Sequence, residues 1–130
     1  MRNIEIWRHE LFVTIRAISD SVGMRRLWLG LEPGAISSFA EEVAHVFHDF
    51  DIDGLIKLGP EGARLNLKQF SALCEFRDQL RMYVNGVPTR PLTLVDPITV
   101  LDDPKWEEVV RAARKFVSLL DGAPTASATG

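Results

Sequence analysis

The chain has a single cysteine, Cys74, among its 130 residues, so no intrachain disulfide is possible. A reducing compartment is the simpler home, and the expected location is the cytoplasm. Long apolar runs are also missing: nothing approaches the roughly 20 residues of a membrane-spanning helix. The opening Met1-Arg2-Asn3-Ile4-Glu5-Ile6-Trp7-Arg8-His9-Glu10 interrupts its apolar residues with charge, so no signal peptide is expected. No Gly-x-Ser-x-Gly elbow, phosphate-binding glycine loop or nucleotide fingerprint occurs. With three histidines and no triad, catalytic residues, cofactors and enzymatic activity are not expected.

What is present suits one domain long enough to bury a core without cross-links. Residues 1–122 form a single helical domain in this reading. The last eight, small and polar, are expected to be a disordered tail over 123–130. The net charge of −3 is unevenly spread. Residues 32–61 carry seven carboxylates against Lys57 alone, whereas residues 62–91 carry five basic residues against Glu75 and Asp78. Such asymmetry can steer a charged partner, or simply neutralise itself across a solvated surface.

Period and punctuation give four longer helices. In the first, Ile4, Trp7, Leu11, Ile15, Ile18 and Val22 share a stripe, and Gly23 is its stop. The second starts at Ser38, with Glu41 as capping-box partner, and buries Phe39, Val43, Val46 or Phe47, and Phe50 before Gly54 breaks it. The third starts at Asn66 with Gln69, turns Leu67, Phe70, Leu73, Cys74, Leu80 and Val84 inward, and stops at Asn85-Gly86. The fourth is capped by Asp103, opens on Pro104, buries Trp106, Val109, Val110, Ala113, Val117 and Leu120, and ends at Asp121-Gly122. Pro88, Pro91 and Pro97 keep residues 87–103 irregular. The fold expected is mainly α, a four-helix bundle-like domain with irregular linkers. The alternative is α+β, with a small sheet drawn from residues 24–29, 55–58 and 92–101.

Asp49-Phe50-Asp51-Ile52-Asp53-Gly54 resembles the start of a calcium loop, with carboxylates at positions one, three and five and glycine at six. The twelfth position, where a bidentate glutamate belongs, is Pro60, and Glu61 follows one residue late. The competing reading buries Phe50 and Ile52 and turns the aspartates outward as an acidic docking ridge. A cluster of acids at a helix C-terminus opposes the helix dipole, a cost that hints at function. His45 and His48, with Glu41 or Glu42, give a second arrangement that can be drawn as a zinc site, or as two half-exposed surface histidines. Glu42 and His45 have the Glu-x-x-His spacing of di-iron bundles, but the matching second pair is missing. Metal binding, calcium at Asp49–Gly54 or zinc at His45 and His48, is therefore the alternative function, and no metal ligand is assigned.

Cys74 lies within an apolar stripe, as a structural thiol does. Arg77, Arg81, Arg111, Arg114 and Lys115 are interleaved with Glu75, Asp78, Glu107 and Glu108, so no dominant positive face exists and nucleic acid is not an expected partner.

The segments Ile36-Ser37-Ser38-Phe39-Ala40-Glu41-Glu42 and Phe47-His48-Asp49-Phe50-Asp51-Ile52-Asp53, with the helix Phe70 through Val84, resemble immunity proteins that accompany polymorphic and contact-dependent-inhibition toxins. The likeness spans about half the chain and lies in general character, that of a compact, cysteine-poor, acidic helical protein. It implies a protein-binding function, with a basic toxin domain as partner. Its acidic face would mask a basic active site and speed association. The partner-binding residues it implies are Glu41, Glu42, Asp49, Asp51 and Asp53, with Phe50 as apolar anchor.

Overall fold

A computed structural model describes residues 2–34 and 37–129, the last seven of these by backbone alone. Among the described residues there is no strand, and the chain is mainly α. Eight α-helices follow in order: α1 (Ile4–Ser19), α2 (Ser21–Trp28), α3 (Phe39–Ala44), α4 (Ile52–Lys57), α5 (Gly59–Gly62), α6 (Leu67–Gly86), α7 (Pro97–Leu101) and α8 (Pro104–Thr129). A π turn at His45–Asp49 prolongs α3, and a 3-10 turn at Leu92–Leu94 precedes α7. The three segments proposed for a sheet are therefore helix or tight turn. Asp20 and Asp51 cap the helices that take up the first two, and Asp96 caps the helix that follows the 3-10 turn in the third.

The bundle is organised around α8, which packs against both α1 and α6. Phe116 is fully buried there and meets the Phe12 ring edge-on, at 5.1 Å between centroids. At the other end of α8, Trp106 packs against Trp28, Phe39 and Tyr83, joining α2, α3 and α6 in one aromatic cluster. Such pairs add to ordinary burial through edge-to-face geometry.

Aspartate caps account for many of the helix starts. Asp20, Asp51 and Asp96 accept the backbone N–H of Gly23, Gly54 and Ile98, and Asp103 accepts that of Lys105. Each satisfies a donor that has no partner within the helix. Ser38 caps α3 through the Glu41 N–H, and Asn66 with Gln69 forms a reciprocal capping box at α6. The expected starts at Ser38, Asn66 and Asp103 stand.

Several expected details change. The first helix ends at Ser19, because Asp20 closes it and opens α2; Val22 is then 72 % exposed and Gly23 lies inside a helix. Gly54 likewise lies inside α4 and does not break a helix. Leu67 is 76 % exposed. The face of α6 that packs is centred on Ala72, Phe76 and Leu80, and at 3.6 residues per turn Leu67 lies roughly opposite Phe76. By the same count Cys74 lies on the side away from Phe76, close to Leu67 and not within the packing face, and it is half-buried. The backbone of α8 continues through Asp121-Gly122 to Thr129, and the side chains of the expected tail at 123–130 lie outside the described residues.

Candidate functional site

The Asp49–Gly54 segment is held by contacts that consume its polar groups. In the π turn the Phe50 N–H reaches back five residues to the His45 carbonyl, at 2.8 Å. The carbonyls left over at this helix end are taken by α1 and the residues before it: Arg2 donates to the Asp49 oxygen at 3.0 Å, and Trp7 Nε1 donates to that of Phe50. Asp51 then adopts a left-handed conformation, φ 41° and ψ 67°, and caps α4. Ile52 is fully buried beneath it, and Phe50 is half-buried with the His45 ring stacked on it at 5.4 Å.

The carboxylates expected to form one outward ridge are therefore dispersed. Glu42 is only 7 % exposed and accepts a hydrogen bond from the Ser37 hydroxyl at 2.9 Å. Burial pushes its carboxyl above the ordinary value, against the opposing effects of Ser37 and His45. Asp51 is committed to its cap. Asp53 accepts hydrogen bonds from Arg77 at 3.1 Å and from Arg81, which also stacks on Phe47. Burial works to raise Asp53, but the bonds from Arg81 and Arg77 outweigh it and hold the carboxyl below its ordinary value. Glu41 and Asp49 are exposed, the latter 2.7 Å from His45 Nδ1. The aspartate spacing that resembled a calcium loop thus follows from a cap and an arginine clamp. Among the described residues, no three His, Cys, Asp or Glu side chains converge to hold a metal ion.

A concavity lies elsewhere, along the stretch expected to be irregular. It is a groove of about 760 Å³ between the C-terminal half of α6, the linker to α7, and the start of α8. Such a volume falls in the range of natural binding pockets. Met82 and Tyr83 contribute from α6, Val87 and Pro88 from the linker, Leu94 and Val95 from the 3-10 turn and its exit, and Val100 from α7. Met82 is 61 % and Leu94 68 % exposed, so the rim is apolar and open. The polar lining comprises Asp96, Asp103, Lys105 and Glu108, with Gln79 and the threonines at 89 and 99. The Tyr83 hydroxyl donates to Asp103 at 3.0 Å; burial, then this carboxylate, pushes the phenol above its usual range.

The architecture explains why the groove is open. Arg90 folds back to donate to the carbonyls of Val84 and Val87, sealing the end of α6. The proline-rich linker then sets its 3-10 turn against α3 before α7 returns to the core at Val100. The signal available in the sequence was Met82 and Leu94, apolar residues flanking Pro88 and Pro91; period alone assigns them to no face.

No protein-family model matches the chain, and no curated protein or solved structure matches it. Among the described residues, no helix is long and apolar enough to cross a membrane.

Proposed function

We propose that this chain is a protein-binding module and, following the resemblance above, a cytoplasmic immunity protein that neutralises a cognate bacterial toxin by covering its active site. One observation carries the binding part: an open groove whose apolar rim, Met82 and Leu94, is left uncovered by the described chain. Apolar side chains gathered around a concavity are how interface hot spots are built. The groove therefore replaces the Asp49–Asp53 ridge as the main binding surface, with Glu41 and Asp49 as an outlying acidic contribution to encounter. The one thiol offers no activated nucleophile. Burial pushes Cys74 up, outweighing the influence of Arg77, which makes it a poor nucleophile.

The test uses a tagged chain to capture its partner from the native host, followed by expression of that partner alone and with this chain. The partner alone should arrest growth, the wild-type chain should restore it, and Met82→Glu should not. A partner harmless on its own would remove the toxin assignment. Rescue by Met82→Glu as complete as by wild type would remove the groove.

A further inference from the structure

We propose that the groove receives a partner segment presenting apolar side chains beside a lysine or arginine. This rests on the protein-binding reading above and adds the chemistry of what binds. The charged groups lining the groove are three carboxylates, Asp96, Asp103 and Glu108, against the single ammonium of Lys105. Glu108 is held from outside by Arg111, at 2.7 and 2.8 Å. Asp96 and Asp103 have no cationic partner among the described residues, although ion pairs occupy most of the other arginines.

The hydrogen bonds that Asp96 and Asp103 make come from neutral donors. Asp96 Oδ1 accepts the Ile98 N–H at 3.0 Å. Asp103 accepts the Lys105 N–H at 2.9 Å on one oxygen and the Tyr83 hydroxyl at 3.0 Å on the other. Neutral donors fix the direction of a carboxylate without cancelling its charge, and a helix start supplies only about half a compensating charge. Two oriented carboxylates thus stand beside the apolar surface of Met82, Val87, Leu94 and Val95. A cationic head on an apolar stem matches that pairing, and the acidic net charge of the chain favours the same encounter.

The experiment measures binding of the full chain to three short amphipathic helical peptides. They share a leucine face and differ only in carrying lysine, glutamine or glutamate beside it. The lysine peptide should bind about tenfold tighter than the glutamine one, with the glutamate peptide weakest. Asparagine caps helices as well as aspartate does, so the double variant Asp96→Asn with Asp103→Asn should keep its unfolding midpoint. That variant should bind the lysine peptide only as well as wild type binds the glutamine one. Met82→Glu, at an exposed position, should cut binding of the lysine and glutamine peptides. Equal binding of all three peptides, or an asparagine variant indistinguishable from wild type, overturns the proposal. Preference for the glutamate peptide overturns the charge while leaving a protein-binding groove. Binding unaffected by Met82→Glu, or no binding at all, overturns the groove itself. A concentration-dependent dimer dissolved by Met82→Glu would place a second copy there and overturn the proposal.

Discussion

Replacing Gly54 with alanine decides whether Asp51 serves as a helix cap or as a cation ligand. Inside a helix this change normally stabilises by about 1 kcal/mol, because alanine loses less backbone entropy on folding. Gly54 lies inside α4, but a Cβ there would sit 2.9 Å from Asp51 Cγ and closer still to its Oδ2. The carboxylate has to swing away, and its bond to the Gly54 N–H, 3.1 Å long, goes with it. Losing an aspartate cap costs about 1 kcal/mol. The two effects cancel, so Gly54→Ala alone should change stability by less than about 0.5 kcal/mol. Asp51→Gly costs little, since glycine caps nearly as well and accepts φ 41° without strain. In that background nothing obstructs the new Cβ, and Gly54→Ala should give its full gain of about 1 kcal/mol. Urea unfolding of the four proteins closes the cycle, with an expected coupling of about 1 kcal/mol. Repeating it with calcium supplies a second readout. A bound ion at a hundredfold excess over its Kd adds about 2.7 kcal/mol, whereas a cap gives no shift. A Gly54→Ala effect independent of Asp51, or a calcium-dependent rise abolished by Asp51→Gly, would refute the reasoning.

Two further predictions concern the core and the buried carboxylate. Phe116→Ala should cost about 3–5 kcal/mol in urea unfolding, since it empties a fully buried site shared by α1 and α8; a loss below about 1 kcal/mol would mean that this packing is not formed. Glu42 has a raised folded pKa, so its effect on stability is fully present below its ordinary value of 4.5 and is lost as pH climbs through the raised value. Glu42→Gln should therefore be more stable than wild type at neutral pH, with the gain shrinking as pH falls through that window. A gain independent of pH would contradict burial of the charged form.

The helix starts were legible in the sequence because their cause is local. Ser38, Asn66 and Asp103 each act within three residues of themselves, and the structure has all three as caps. The stripes of the fourth helix were legible for a similar reason: Trp106, Val109, Val110 and Ala113 are buried as their spacing implies. The helix stops were not. Gly23 and Gly54 read as breakers, but each is glycine because an aspartate three residues earlier occupies the space of its Cβ. The dispersal of the acidic ridge was equally hidden, since the partners of Asp53 lie 24 and 28 residues away on α6. Trp7 and Arg2 reach the end of the π turn across more than 40 residues. The groove depends on how the linker at 87–96 is placed between α6 and α8, which is tertiary geometry with no periodic trace in the sequence.

The most direct measurement of the central claim is hydrogen–deuterium exchange of the chain with and without the partner captured from its host. Binding through the groove predicts new protection over residues 79–89 and 94–108, with the Asp49–Gly54 segment unchanged. Protection confined to residues 41–53 would contradict it and return the binding surface to the acidic segment.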